Sequence, residues 1–182
     1  MNFRDLTADD IECRVQSVKQ NGLVLLLYKN ARVDMNILDE TVGAAHWQRE
    51  HYECKGNLFC RVGIDVNFNI PEASPQWVWK SDCGTESNTE AQKGEASDSF
   101  KRACFNWGIG RELYTSPFIW IPARYCRIEN SKCYDKFAVE KIIIENKRIT
   151  AVSILNTSIE GDRKEQRCFV WQEKKNEADR QN

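Results

Sequence analysis

At 182 residues, with 41% hydrophobic and 29% charged side chains, the chain is long enough to bury its own core without disulfide or metal staples. No apolar run approaches the roughly 20 residues of a membrane helix, and the opening MNFRDLTADD is acidic rather than signal-like, so a cytoplasmic protein is expected. The formal net charge of −1 excludes a protein that coats nucleic acid with its whole surface.

Residues 1–116 hold 13 Lys and Arg against 17 Asp and Glu, and residues 117–182 hold 13 against 10. Neither part is basic. An anion site would therefore have to gather its cations in three dimensions, from Lys29 and Arg32, Arg61, Lys101 and Arg102, and Arg111. The eight cysteines include no CxxC pair, which points to reduced, half-buried thiols. His46, His51, Cys54 and Cys60 are zinc-type ligands without paired-knuckle spacing. They leave a Cys/His metal-binding module or metalloenzyme open as a rival, against strand residues with incidental chemistry; no other cofactor is called for.

In chain order, TADDIECRVQSVKQNG begins with the capping-box pair Thr7 and Asp10 and ends at Asn21-Gly22, which predicts a helix. LVLLLY, 23–28, is a short, apolar, turn-bounded run and predicts a buried strand. Val33, Ile37, Leu38 and Val42 form a helical stripe closed by Gly43. HWQREHYEC, the turn Lys55-Gly56-Asn57 and LFCRVGIDVNF follow, the last in strict period two. A loop with two prolines leads to WVWKSD, completing a three-stranded antiparallel meander.

Ser87 and Glu90 form a second capping box, and a long helix is predicted from about Thr89 to Trp107, ended by Gly108. The strands FIWIP, KFAVEKIII, ITAVSIL and QRCFVWQ come next, with a turn at 145–147, and residues 173–182 form a polar tail. The fold class expected is α+β: a β-β-β-α core, the meander packed on the long helix, with flanking helices and a β-rich C-terminal part. Residues 1–116 make the core, and residues 117–172 are its continuation in the same domain.

The long helix poses the functional question. Its packing face is Ala96, Phe100, Ala103, Cys104 and Trp107, yet Lys101 and Arg102 stand in the middle of it. Lys93 and Lys101 fall about 80° apart around the axis, with Arg102 a further 100° on. Two readings stand. The pair is a solvated flank partnered by Glu95 and Asp98, or it points into a groove and neutralises phosphates.

The motif K-x-E-A-S-D-x-F-K-R-A-x-x-x-W-G-I-G-R-E-L-Y, Lys93 to Tyr114, is similar to the single-strand annealing proteins. That superfamily includes the eukaryotic Rad-fifty-two recombination mediator and the phage Sak-type annealing proteins. Arg32-Val33, then Gly43, then Trp47 resembles the family's upstream pattern, so the likeness covers roughly residues 8–116. It implies a non-enzymatic protein that binds single-stranded DNA and anneals complementary strands in recombination and repair, as a homo-oligomeric ring or filament. It implies Lys101 and Arg102 as backbone contacts, Arg32 from a facing helix, and Lys93 on a further basic position. Phe105 stands where the family can carry another cation. The implied partners are single-stranded DNA, further copies of the chain and a host single-strand-binding protein, in the cytoplasm of a bacterial host if the protein is phage-encoded; no membrane is involved.

No G-x-x-x-x-G-K-[ST] loop and no Ser/His/Asp set occurs, in keeping with a protein that transfers no group. Arg61, on the polar side of its strand, either reaches the groove or pairs across the sheet. Arg111 either meets phosphate or pairs near Glu112. The tryptophans fit packing or protomer contacts better than base stacking. An oligomeric interaction scaffold that ignores DNA is a further alternative.

Overall fold

The structure, a computed structural model, describes residues 1–85, 91–158 and 166–174. Strands β1 (Glu12–Lys19) and β2 (Gly22–Tyr28) precede helix α1 (Ala31–Val42). Then come β3 (Trp47–Cys54), β4 (Asn57–Asp65), β5 (Trp77–Cys83) and helix α2 (Ala91–Trp107). Strands β6 (Ile119–Pro122), β7 (Phe137–Glu145), β8 (Arg148–Asn156) and β9 (Gln166–Gln172) complete the chain. The fold is α+β, and it divides into two compact units: Met1–Asp5 with Lys29–Arg111, and Leu6–Tyr28 with the described residues from Glu112 onward.

The first unit is the β-β-β-α core. Strands β3, β4 and β5 form an antiparallel meander in that order, with Arg49, Val62 and Lys80 in one cross-strand row and Glu50, Arg61 and Ser81 in the next. Because side chains alternate across a strand, Cys60, Val62 and Ile64 share one face and are fully buried there, as are Phe100, Ala103 and Cys104 of α2. Trp47 stacks on Phe100 at 6.1 Å, and Trp107 Nε1 donates to the Val62 carbonyl at 3.0 Å, which seats the helix along this face. Helix α1 starts at Asn30, whose side chain accepts from Arg32 N, and buries Val33, Ile37, Leu38 and Val42. Each of these large side chains contributes about 1.5–3 kcal/mol by leaving water.

The second unit is a six-stranded antiparallel sheet in the order β6-β2-β1-β7-β8-β9. Its outer strands β6 and β9 meet, so the sheet curls towards closure around Leu23, Leu25, Ile119, Ile121, Ile149 and Ile154.

One expected helix is absent. Thr7 and Asp10 do form a capping pair, the Asp10 carboxylate accepting from Thr7 N at 2.8 Å and from Thr7 Oγ1 at 2.9 Å, but they cap only the single turn Ala8–Asp10. Glu12–Lys19 is then strand β1, with Glu12, Arg14 and Gln16 exposed and Cys13 and Val15 turned inward. The reason is pairing: the apolar β2 needs a hydrogen-bonded neighbour, and β1 reaches it through a two-residue turn at 20–21 that a helix could not make. The order is therefore β-β-α-β-β-β-α, and among the described residues α1 is the one α-helix flanking the core. The capping box of Ser87 and Glu90 lies outside the described residues, as do residues 175–182 of the tail.

Candidate nucleic-acid interface

Helix α2 lies over the meander with one flank toward α1 and the other toward β5. Lys101 and Arg102, about 100° apart, take one flank each. On the α1 side, Lys29 and Asp34 form a fully buried ion pair, 1% and 0% exposed. The Lys29 ammonium also lies 4.7 Å from the centre of the Phe105 ring, and its stem packs against Gly110. That close approach needs glycine: at φ +75° a side chain would be strained, and its Cβ would stand 2.2 Å from Lys29 Cε.

Burial pushes the Asp34 carboxyl up to about 6, against the pull of Lys29 and, more weakly, of Lys101. Lys101 thus stands beside this pair, half-buried, and makes no hydrogen bond or ion pair with any described residue. Arg32, in the first turn of α1, is exposed, and its guanidinium likewise has no such partner among the described residues.

On the β5 side, Arg102 donates through Nε and Nη2 to one Asp82 oxygen, both at 3.3 Å, with its side chain 39% exposed. Next to it, Lys80 Nζ donates to the Asn106 carbonyl at 2.8 Å and stands 4.5 Å over the Trp107 ring. An exposed ion pair of this length contributes at most about 1 kcal/mol.

The other candidates are placed as follows. Lys93 is exposed in the first turn of α2. Arg61 projects from the face of the meander opposite α2, donates to Glu50 at 3.0 and 2.6 Å and covers Trp79 at 4.6 Å, so it pairs across the sheet. Arg111 caps the end of α2, donating to the carbonyls of Phe105 at 2.6 Å and Asn106 at 3.0 Å. Glu95 and Asp98 do not partner the cations: they accept from Leu58 N and from Thr85 N and Oγ1.

His46 directly precedes β3 and Cys54 ends it, about 25 Å apart at strand rise, so the four zinc-type residues do not converge. His46 meets Asp65 at 3.5 Å, His51 donates to the Ala96 carbonyl at 3.1 Å, and Cys60 is buried. Among the described residues no group of three metal-type ligands comes together.

Sequence reasoning did not find the Lys29–Asp34 pair, Lys80, or the cap made by Arg111. Lys29 directly follows an apolar strand and lies five residues before Asp34, which is the only local hint of burial.

An α+β protein with a β-β-β-α core, whose helix presents a cation at each flank, is the class that fold and site define. The family model for Rad52/22 double-strand break repair proteins matches residues 4–129, and the chain belongs to this family. Membership gives it a role in DNA recombination and repair. No curated protein and no solved structure matches the chain. Among the described residues, no helix is long and apolar enough to cross a membrane.

Proposed function

We propose that the protein binds single-stranded DNA by its phosphates, without regard to sequence, and anneals complementary strands as a non-enzymatic, phage-type recombination factor. It acts in the cytoplasm as a homo-oligomeric ring or filament. The observation that carries this is Lys101: a cation on the family's helix, half-buried beside a buried ion pair and bonded to no described residue. Arg102 on the other flank, Arg32 in the first turn of α1 and Lys93 at the start of α2 extend the contact. Arg61, on the opposite face of the meander and paired with Glu50, is left outside the proposed contact.

Contacts to phosphate leave base edges free to test a second strand, which is what annealing requires. They also release counterions, so binding weakens with salt at a slope of about −0.7 per phosphate neutralised on a single strand. Each protomer supplies few cations, so a useful footprint needs several protomers side by side.

The test is fluorescence anisotropy of labelled single strands of unrelated sequence over a salt series. Affinity is expected to be alike for all sequences and to fall linearly with log salt. Lys101→Ala with Arg102→Ala is expected to weaken binding uniformly and to flatten the slope by about 0.7 per lost contact. No binding at low salt, or unchanged binding by a folded double variant, would sink the proposal.

A further inference from the structure

The connection between β6 and β7 brings two cysteines together. Asn130 and Ser131 both take positive φ, 51° and 60°, and make the two-residue turn of a tight hairpin. Glu129 and Lys132 close it with two backbone hydrogen bonds, each 2.9 Å. Further back a second tie joins the arms. Arg127 N donates to Asp135 Oδ2 at 2.8 Å, and the buried Asn156 donates through Nδ2 to the same carboxylate oxygen and to the Tyr125 carbonyl, both at 2.9 Å. Cys126 stands on one arm beside Arg127, and Cys133 on the other beside Lys132. Their thiols meet in a hydrogen bond to one another. Both are half-buried and open to reagents, whereas Cys60, Cys104 and Cys168 are buried.

We propose that Cys126 and Cys133 are an oxidisable dithiol, which a small disulfide such as oxidised glutathione closes reversibly into a disulfide across this hairpin. Two thiols already in contact on pinned arms need little backbone movement to join, and that requirement decides whether two cysteines can be bridged. In a reducing compartment such a pair is oxidised only transiently, which is how a redox sensor is used.

Burial holds both thiols above the ordinary value of 9, Cys126 at about 11; at Cys133 the Asp135 backbone N–H, then Cys126 and Arg127, work against that rise. Cys133 is therefore the thiol that loses its proton first. Its thiolate attacks one sulfur of oxidised glutathione, forming a mixed disulfide and expelling one glutathione thiolate. Cys126, giving its proton to water, then attacks Cys133 Sγ and expels the second. Two protein thiols are oxidised, one disulfide is reduced to two thiols, and the two protons end on the two glutathiones.

The experiment equilibrates the full chain with mixtures of oxidised and reduced glutathione at about pH 8, near the ordinary thiol range. Free thiols are then blocked with iodoacetamide and tryptic peptides are mapped by mass spectrometry. Cleavage after Arg124, Arg127, Lys132 and Lys136 leaves the pair on residues 125–127 and 133–136. Folded wild type is expected to give these two peptides joined, lighter by two hydrogens, with no cross-linked dimer on a non-reducing gel. Oxidation should raise its Tm by about 5 °C, the effect of closing so short a loop. Cys126→Ser should instead keep a glutathione adduct on Cys133 and show no such rise. Wild type that gives no joined pair, gives it only in urea, or links its cysteines at random overturns the proposal. So does a Cys126→Ser chain whose adduct lies elsewhere. None of these outcomes involves DNA, so this inference and the function proposed above fail separately.

Discussion

Lys101 and Arg102 are neighbours in sequence but belong to different surroundings, and their substitutions should differ accordingly. Beside Lys101 the decisive group is Asp34, buried with Lys29 and with its Oδ2 bonded to no described residue. The folded Asp34 holds its proton up to about 6, because burial outweighs the pull of Lys29 and Lys101, whereas its ordinary value is 3.8. The folded chain therefore binds more protons than the unfolded chain between these values. Stability from this group is fully present below about pH 4 and is lost as pH rises through about 6, by at most about 3 kcal/mol. Urea midpoints measured from pH 4 to 7 should show this slope. Asp34→Asn should abolish it and lower stability by about 3–5 kcal/mol at pH 7, since Lys29 is left buried without an anion. A slope that survives Asp34→Asn would show that another group is responsible.

The meander and α2 were legible because their patterns are local and strong. Period two in LFCRVGID and the apolar stripe of α2 each match the burial seen, at Cys60, Val62 and Ile64 and at Phe100, Ala103 and Cys104. Strand β1 was not legible as a strand, because a capping pair and an Asn-Gly stop are helix signals that a β-hairpin also tolerates. Only the partner β2 decides between them. Gly63 is the element-scale test of the outer face. Gly63→Ala must displace the Trp79 ring, and overpacking of this kind costs about 1–3 kcal/mol. A lowered denaturation midpoint with a red-shifted tryptophan emission is the expected result; an unchanged midpoint would mean that the ring does not rest on the glycine.

At the scale of the whole molecule, the proposed DNA contacts all lie in the first unit, while the curled sheet of the second unit buries a core of its own. Leu25→Ala in that sheet should lower stability by about 2–5 kcal/mol yet leave the salt slope of DNA binding unchanged, as thermal unfolding and anisotropy would show. A changed slope would tie the second unit to the phosphate contacts. By itself the sequence determined the meander, the long helix with its Lys-Arg pair, and the family likeness that pointed to DNA repair. These follow from periodicity and from a motif that is contiguous in the chain. Tertiary structure alone decided that β1 joins the C-terminal strands, that Lys29 is buried against Asp34, and that Arg61 turns away from α2 to Glu50 and Trp79. Those outcomes rest on hydrogen-bond partners and ion pairs distant in sequence or across a sheet, which no local pattern encodes.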